Sequence, residues 1–335
     1  MLTFTLRRLL LAIPTLLVIS LVIFLLVDLA PGSPLSEIPL TVPSEVRQKM
    51  IAAMGADQPV FVRYFLWLRQ FFWVEPAVLF DSLFGTTWSA GEQRLLSWQT
   101  RSPVFTMIGQ RIPQTIIVIG TAYLVGVMIA LPIGIYSAYR QYSWFDQAGT
   151  AFAMIGFSVP TFFTGTLLII IFAVGLGWFP TKYDTNLAVT DWASFVKQVR
   201  QMALPVMTLG LANAAAISRY MRSSMLDNMG MDYVRTARAK GMAERTVVLK
   251  HVLRNSLIPV VTVIALGIPS IFGGAIITEN LFGVNGIGAA LILAINASDL
   301  PTVQTLAFIF AVLIVLFNLI ADIIYGLLDP RIRYD

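Results

Sequence analysis

A chain of 335 residues with 57% apolar and only 12% charged residues cannot cover the surface of a soluble domain. Its mean hydropathy of +0.78, with several runs near the ~20 apolar residues needed to cross a bilayer, places it among polytopic membrane proteins. With no cysteine and a single histidine, His251, it offers no disulfide framework, thiolate metal site or thiol chemistry; its +5 charge borders apolar spans, which points to membrane orientation and anionic lipid rather than nucleic acid.

Arg7 and Arg8 precede the apolar run Leu9–Val27, which is too long for a signal core and ends without a small-x-small cleavage site, so an uncleaved first membrane helix is expected. Six spans follow from hydropathy: Leu9–Leu29, Pro113–Ala138, Ala148–Gly175, Met202–Met221, Leu257–Ile277 and Thr302–Leu327. Pro14, Pro132, Pro160, Pro205 and Pro269 lie inside spans, where neighbouring helices re-satisfy the freed backbone groups and kinks are common. The chain reads as one all-α membrane domain over 1–335. Its large extracytoplasmic segment, 30–112, holds a short helix over Ser44–Ala53 and one or two interfacial amphipathic helices around the aromatic run 61–73.

An even number of spans puts both termini on one side. Thirteen of the 23 basic residues then fall in or at the edge of 1–8, 139–147, 222–256 and 328–335, while the last outer loop, Thr278–Pro301, has none. The positive-inside rule makes the basic side cytoplasmic. From Arg219 to Arg254 eight basic residues face three acids, a net charge equal to that of the whole chain. Within this stretch Asp232 is placed to cap a helix starting at Tyr233, and Ala237, Ala239 and Gly241 are small enough for close backbone approach by a partner. His251 is expected at the cytoplasmic surface beside Lys250. Composition supports two readings of the loop equally: an orientation anchor and a docking element.

No Gly-Lys pair precedes Ser or Thr, so no phosphate-binding loop for ATP is encoded, and no HExxH, GxSxG or His/carboxylate cluster appears. Asp28 and Asp322 flank span ends rather than sitting at mid-membrane, where a proton-driven carrier would bury an ionisable group. Ser158, Thr161 and Thr164, spaced i, i+3, i+6, are expected on one face of the third span; with Asn213 and Ser270 they are candidates for lining a path, the other reading being interhelical packing and hydrogen bonding.

The segment Tyr233-Val234-Arg235-Thr236-Ala237-Arg238-Ala239-Lys240-Gly241, followed by His251-Val252-Leu253-Arg254-Asn255-Ser256-Leu257-Ile258-Pro259, resembles the cytoplasmic loop of ABC importer permeases of the dipeptide, oligopeptide and nickel class. Leu29-Ala30-Pro31-Gly32-Ser33-Pro34, Asp57-Gln58-Pro59, Ser158-Val159-Pro160-Thr161-Phe162-Phe163-Thr164-Gly165, Gly177-Trp178-Phe179-Pro180 and Asp329-Pro330-Arg331-Ile332-Arg333 extend the likeness to the B-type (first) permease over nearly the whole chain. The departures are a longer Thr86–Thr100, Asn285-Gly286 in place of Pro-Gly, and Ser298-Asp299-Leu300-Pro301 in place of Arg-Asp-x-Pro.

The resemblance implies a transport subunit without an ATPase site of its own, in a bacterial or archaeal cytoplasmic membrane. It implies a C-type permease partner, two ATP-binding subunits holding ATP and magnesium, and an extracytoplasmic solute-binding protein. Tyr233, Arg235, Thr236, Ala237, Arg238, Ala239, Lys240, Gly241 and Glu244 would form the ATPase-coupling element. The implied cargo is a di- or oligopeptide, with oligosaccharides and nickel chelates as alternatives in the same class and an ATP-independent secondary transporter as the rival from another.

Overall fold

Helix α1 runs Leu2–Asp28. The computed structural model describes residues 2–30 and 58–328; the expected helix at Ser44–Ala53 and the terminal motif from Asp329 lie outside the described residues. Helices α2 (Val60–Arg69) and α3 (Glu75–Phe84) are joined by a π-turn at Gln70–Val74. Then come α4 (Val104–Tyr139), α5 (Trp144–Ser158), α6 (Thr161–Gly175), α7 (Trp192–Met229) and α8 (Asp232–Ala239). A short turn α9 (Glu244–Thr246) passes through a π-turn at Val247–Val252 into α10 (Leu253–Phe282), followed by α11 (Ile287–Asn296) and α12 (Leu300–Leu328). Among the described residues the only extended pairing is an isolated bridge between Leu96 and Pro103, so the expected all-α polytopic architecture holds. Among the described residues, five helices are long and apolar enough to cross a bilayer, and two further helix pairs pass the same test together, giving five to seven candidate spans, a range that includes six.

Four spans differ from the hydropathy reading, the fifth by running on to Phe282 and so taking in the start of the expected last outer loop. The second helix starts at Val104, not Pro113; its first two turns carry Gln110 and Arg111, too polar for an apolar window, and Pro113 sits inside, just before a π-turn at Ile116–Gly120. The third expected span is two helices bent by 106°. Val159 is extended at φ −88°, ψ 123°, as the residue before a proline prefers, and Pro160 cannot donate to the preceding turn. Helix α7 begins at Trp192, where Asp191 accepts from the Ser194 amide at 2.7 Å and the Ser194 hydroxyl serves the Asp191 amide at 3.0 Å, a complete capping box. Its 38 residues span about 57 Å at 1.5 Å per residue, nearly twice the hydrocarbon thickness.

The residues divide into two compact units, one of 1–9, 114–285 and 313–335, the other of 10–113 and 286–312. In the first, α4 presents Ala122, Gly126, Ala130, Gly134 and Ala138, buried at every fourth position, to α7. A Cβ on Gly126 would lie 2.9 Å from the Gly210 carbonyl, and one on Gly134 only 2.6 Å from both the Ser218 carbonyl and Met221. Small residues at spacing four let two membrane helices touch backbone to backbone. Tyr123 donates from α4 to the Ile264 carbonyl of α10.

In the second unit, the aromatic run expected to lie at the membrane interface is split. Tyr64 and Trp67 are buried, packing on Phe24 and Phe308, with the Tyr64 hydroxyl 2.8 Å from that of Ser20; Phe61, Phe65, Phe72 and Trp73 stay exposed. A helical face selects every third or fourth aromatic, so one run supplies both a core and a surface. Asp28, expected to flank a span end, is paired with Arg63 at 2.6 Å.

The long stretch 86–100 is held by carboxylates. Asp81 accepts from Thr86, from the Trp88 amide at 2.9 Å and from Ser89 at 2.6 and 2.8 Å. Glu75, buried, binds Arg94 at 2.6 Å and Asp299 accepts from Ser97 and from the Trp98 amide at 2.9 Å. Asp299 also accepts from Thr302 at 2.7 Å at the start of α12.

Candidate coupling helix and translocation helices

Two residues of α8 face inward. Val234 and Ala237, one turn apart, are buried in a cluster with Met221, Met225, Val247, Val248 and Val252. Tyr233 donates to the Asn228 side chain at 2.7 Å, tying the helix to the end of α7. Ala237 is thus small because its own chain covers it. Arg235, Thr236, Arg238, Ala239, Lys240 and Gly241 are exposed, so the helix offers a basic, small-residue face over an anchored back.

Asp232 does not cap this helix. The N-cap is Met231, without a side-chain cap bond; Asp232 lies within the first turn, 96% exposed, 3.5 Å from Arg235. Met231 takes the extended conformation one residue earlier than expected, because Met231 accepts from the Val234 and Arg235 amides at 3.0 and 3.3 Å. The acid still favours the positive helix end.

The exit from α8 is set by Gly241 at φ +73°, where its amide donates to the Arg238 carbonyl at 2.9 Å and the Met242 amide to Ala237 at 3.4 Å. This is the left-handed closing turn that favours glycine. Arg238 then reaches Glu244 with two hydrogen bonds, 2.7 and 3.1 Å, and that carboxylate raises the guanidinium further above its ordinary value. Beyond the turn, Ser224 of α7 donates to the Ser256 carbonyl at 2.8 Å and Ser256 returns a bond at 3.2 Å. His251, expected at the surface, lies in the π-turn half-buried, with Nε2 enclosed.

The expected shared face of Ser158, Thr161 and Thr164 is overturned by the break at Val159–Pro160, which leaves Ser158 ending α5 and the two threonines on α6. The α6 threonine Thr164 contacts its own Pro160 carbonyl at 3.5 Å. Asn213 donates to the Leu209 carbonyl at 2.9 Å, on its own helix. Ser270 lies outside the described residues as regards its side chain.

Sequence reasoning missed four buried acids, Glu75 and Asp299 described above and two in the first unit. Glu279, assigned to an outer loop, is fully buried inside α10 and accepts from Thr115 at 2.6 Å. Asp146, counted only as loop, is buried and bound by Arg222 at 2.6 and 2.8 Å, joining the start of α5 to α7. The signal for the second was an N-cap, Ser143, three residues before an acid, with an arginine left over on the neighbouring span.

Residues 130–334 match the family described as binding-protein-dependent transport system inner membrane component, and residues 1–119 match the N-terminal part of such membrane components. The chain is 36% identical to the oligopeptide transport system permease protein AppB of Bacillus subtilis over 335 residues, all of both chains. It is 36% identical to the glutathione transport system permease protein GsiC of Salmonella typhi over 339 residues, again all of both. It is 35% identical to a putative peptide permease protein of Brucella suis over 99% of each. In fold it is similar to a crystal structure of an amino acid ABC transporter with histidines, at a TM-score of 0.50 and 12% identity over 66% of this chain and 94% of that one. An all-α polytopic chain, matched to full-length relatives from end to end, therefore belongs to the binding-protein-dependent transport system inner membrane components: it is a permease subunit of an ABC importer.

Proposed function

We propose that the chain forms half of the translocation path of a peptide importer and that α8 is its link to an ATPase. The observation that carries the reading is the two-sided build of α8: Val234 and Ala237 are locked into the core of the α4–α7–α10 unit, while Arg235, Arg238, Ala239, Lys240 and Gly241 are exposed. A push on the exposed face is delivered to α7 and α10 rather than absorbed by a loose loop. Relatives named for oligopeptide, glutathione and peptide transport favour peptides over oligosaccharides or nickel chelates as cargo.

In this reading a C-type permease completes the path and a solute-binding protein delivers cargo from outside. Two ATP-binding subunits hold ATP and magnesium and perform all hydrolysis, and no cofactor resides in this chain. Six spans form one membrane domain with both termini cytoplasmic, 30–112 outside and 222–256 inside, as the basic residues favour. Tyr233, Thr236 and Glu244 belong to the coupling element by fixing its orientation, and Ser158, Thr161, Thr164, Asn213 and Ser270 are path candidates.

Replacing Gly241 by Trp places a large side chain on the exposed turn, where a Cβ meets nothing of this chain within 4 Å. The variant should insert and pair with its partner permease yet fail to retain the ATPases and to take up peptide. Co-purification of the ATPases at wild-type stoichiometry would sink the coupling role.

A further inference from the structure

A cavity of about 310 Å³ opens between the C-terminal parts of α4 and α7 and the middle of α5. Gly134, Gly149 and Ala153 supply its room, and no carboxylate lines it. Four hydroxyls, from Ser137, Thr150, Ser218 and Ser223, face it with two arginines, Arg219 and Arg222. Two of these groups are unusual. Ser137 is 2% exposed, yet its hydroxyl has no partner among the described residues; a Cβ on Gly149 would lie 2.9 Å from it, so only glycine there leaves it room. Arg219 has no ion pair among the described residues, its guanidinium lying 5.1 and 5.8 Å from the ring centres of Phe157 and Tyr220. Arg222, by contrast, is neutralised by Asp146.

The lining therefore carries one uncompensated positive charge, a buried hydroxyl lacking a partner, and an apolar rim of Ile133 and the exposed Met154. We infer that the cavity binds the phosphodiester of an anionic phospholipid. Arg219 pairs with the phosphate oxygens, Ser137 donates from the floor, and the first acyl carbons lie over Ile133 and Met154. A single positive charge matches a phosphodiester monoanion, and the volume exceeds what a bare carboxylate or phosphate fills. Arginine is the side chain suited to such an oxyanion. The headgroup would bridge α5 to the stretch of α7 that leads directly to α8, so lipid occupancy stiffens the connection on which coupling depends. The choice of leaflet rests on the orientation proposed above; the binding does not.

The test uses the complete importer, purified in detergent from membranes, exchanged into nanodiscs of phosphatidylglycerol with phosphatidylcholine, and assayed for retained lipid by mass spectrometry. Wild type should retain phosphatidylglycerol preferentially. Arg219→Gln should lose that preference by about tenfold, the value of one charge-assisted contact. Arg219→Lys should recover part of it, and Gly149→Ala, which crowds Ser137 without touching the arginine, should weaken it severalfold. Wild-type uptake should rise with phosphatidylglycerol content while Arg219→Gln stays flat. Equal retention by wild type, Arg219→Gln and Gly149→Ala overturns the proposal. So does displacement of phosphatidylglycerol by excess inorganic phosphate, which would make the ligand a soluble anion. Should Arg219→Gln fail to assemble, the Gly149→Ala comparison decides alone.

Discussion

Arg238 and Glu244, six residues apart, close the turn after α8 with a two-pronged ion pair at 2.7 and 3.1 Å. Both side chains are more than two-fifths exposed, so the pair contributes little to global stability. Its work is local: it fixes the angle at which the exposed face of α8 is presented. Glu244→Gln should leave the melting temperature within experimental scatter, yet raise hydrogen exchange across 238–244 and reduce the ATPase stimulation that cargo-loaded binding protein produces. Unchanged exchange with reduced stimulation would place the role of Glu244 in a direct partner contact.

Gly241 separates backbone demand from surface demand. At φ +73° an alanine is strained by about 1 kcal/mol, while asparagine tolerates the conformation. Gly241→Asn should keep the α8 amides as protected as wild type, and Gly241→Ala should loosen them. Equal protection in the two variants would mean that the turn adapts without the left-handed residue.

The Asp146–Arg222 pair buries one partner and leaves the other about a third exposed. Arg222→Met strands a buried carboxylate, which should cost on the order of 2 kcal/mol, less than for a fully buried pair. Asp146→Asn with Arg222→Met should recover part of that loss in a thermal melt of the purified subunit. A double variant no more stable than Arg222→Met would show that the two residues do not act as a pair.

Asp81 gives the 86–100 stretch its own acid dependence. Desolvation opposes its charge, but hydrogen bonds from Ser89, Thr86 and the amides of Ser89 and Trp88 outweigh it and hold the carboxyl well below its ordinary value. A lowered folded value means that its stabilisation is complete above the unfolded value of about 3.9 and is lost progressively as pH falls from there through the folded one. Trp88 stacks on Phe80 at 4.9 Å and reports the loop. In a variant with Trp88 as the sole tryptophan, emission should stay constant from neutrality to about pH 4, and Asp81→Asn should shift it at all pH values. A transition near pH 5 in the parent would contradict this assignment.

Glycines give a paired control. Gly134→Ala drives a Cβ to 2.6 Å from Met221 and the Ser218 carbonyl and should destabilise by about 1–3 kcal/mol. Gly109→Ala meets nothing within 4 Å and, being helical, should be neutral or slightly stabilising. Thermal melts of the two variants in the same detergent give the comparison, and equal melting temperatures would show that α4 and α7 can part locally.

What was legible in the chain follows from which physical signal is strong. Long apolar windows such as Leu9–Leu29 and Thr302–Leu327 revealed membrane helices at nearly their structural positions, because water exclusion leaves a continuous mark. Hydropathy cannot see helix that is polar, so the first turns of α4 and the Trp192 start of α7 went unread. It also averages across Pro160, where the chain turns by 106°, and so created a shared face for Ser158, Thr161 and Thr164 that does not exist. The small residues of the loop after α7 share one sequence signature but not one structural cause. Ala237 is small to fit inside, Gly241 to turn left-handed, and only Ala239 lies exposed without either constraint. Asp299, noted as a departure, and Glu279, placed in a loop, both proved buried because their partners Ser97 and Thr115 lie over 150 residues away in sequence, beyond any local pattern.

The seam between α4 and α7 has a mechanical corollary. Where a glycine hydrogen already fills the clearance between two backbones, one helix cannot slide or roll past the other without steric collision. The pair therefore travels as a single strut, and any opening and closing of a passage has to occur along other borders. The 106° elbow at Val159–Pro160 is one such place: the Val159 amide still closes α5 on the Ile155 carbonyl at 2.9 Å, but Pro160 has no amide to carry the helix through, so the chain can flex there as a hinge while the strut stays stiff.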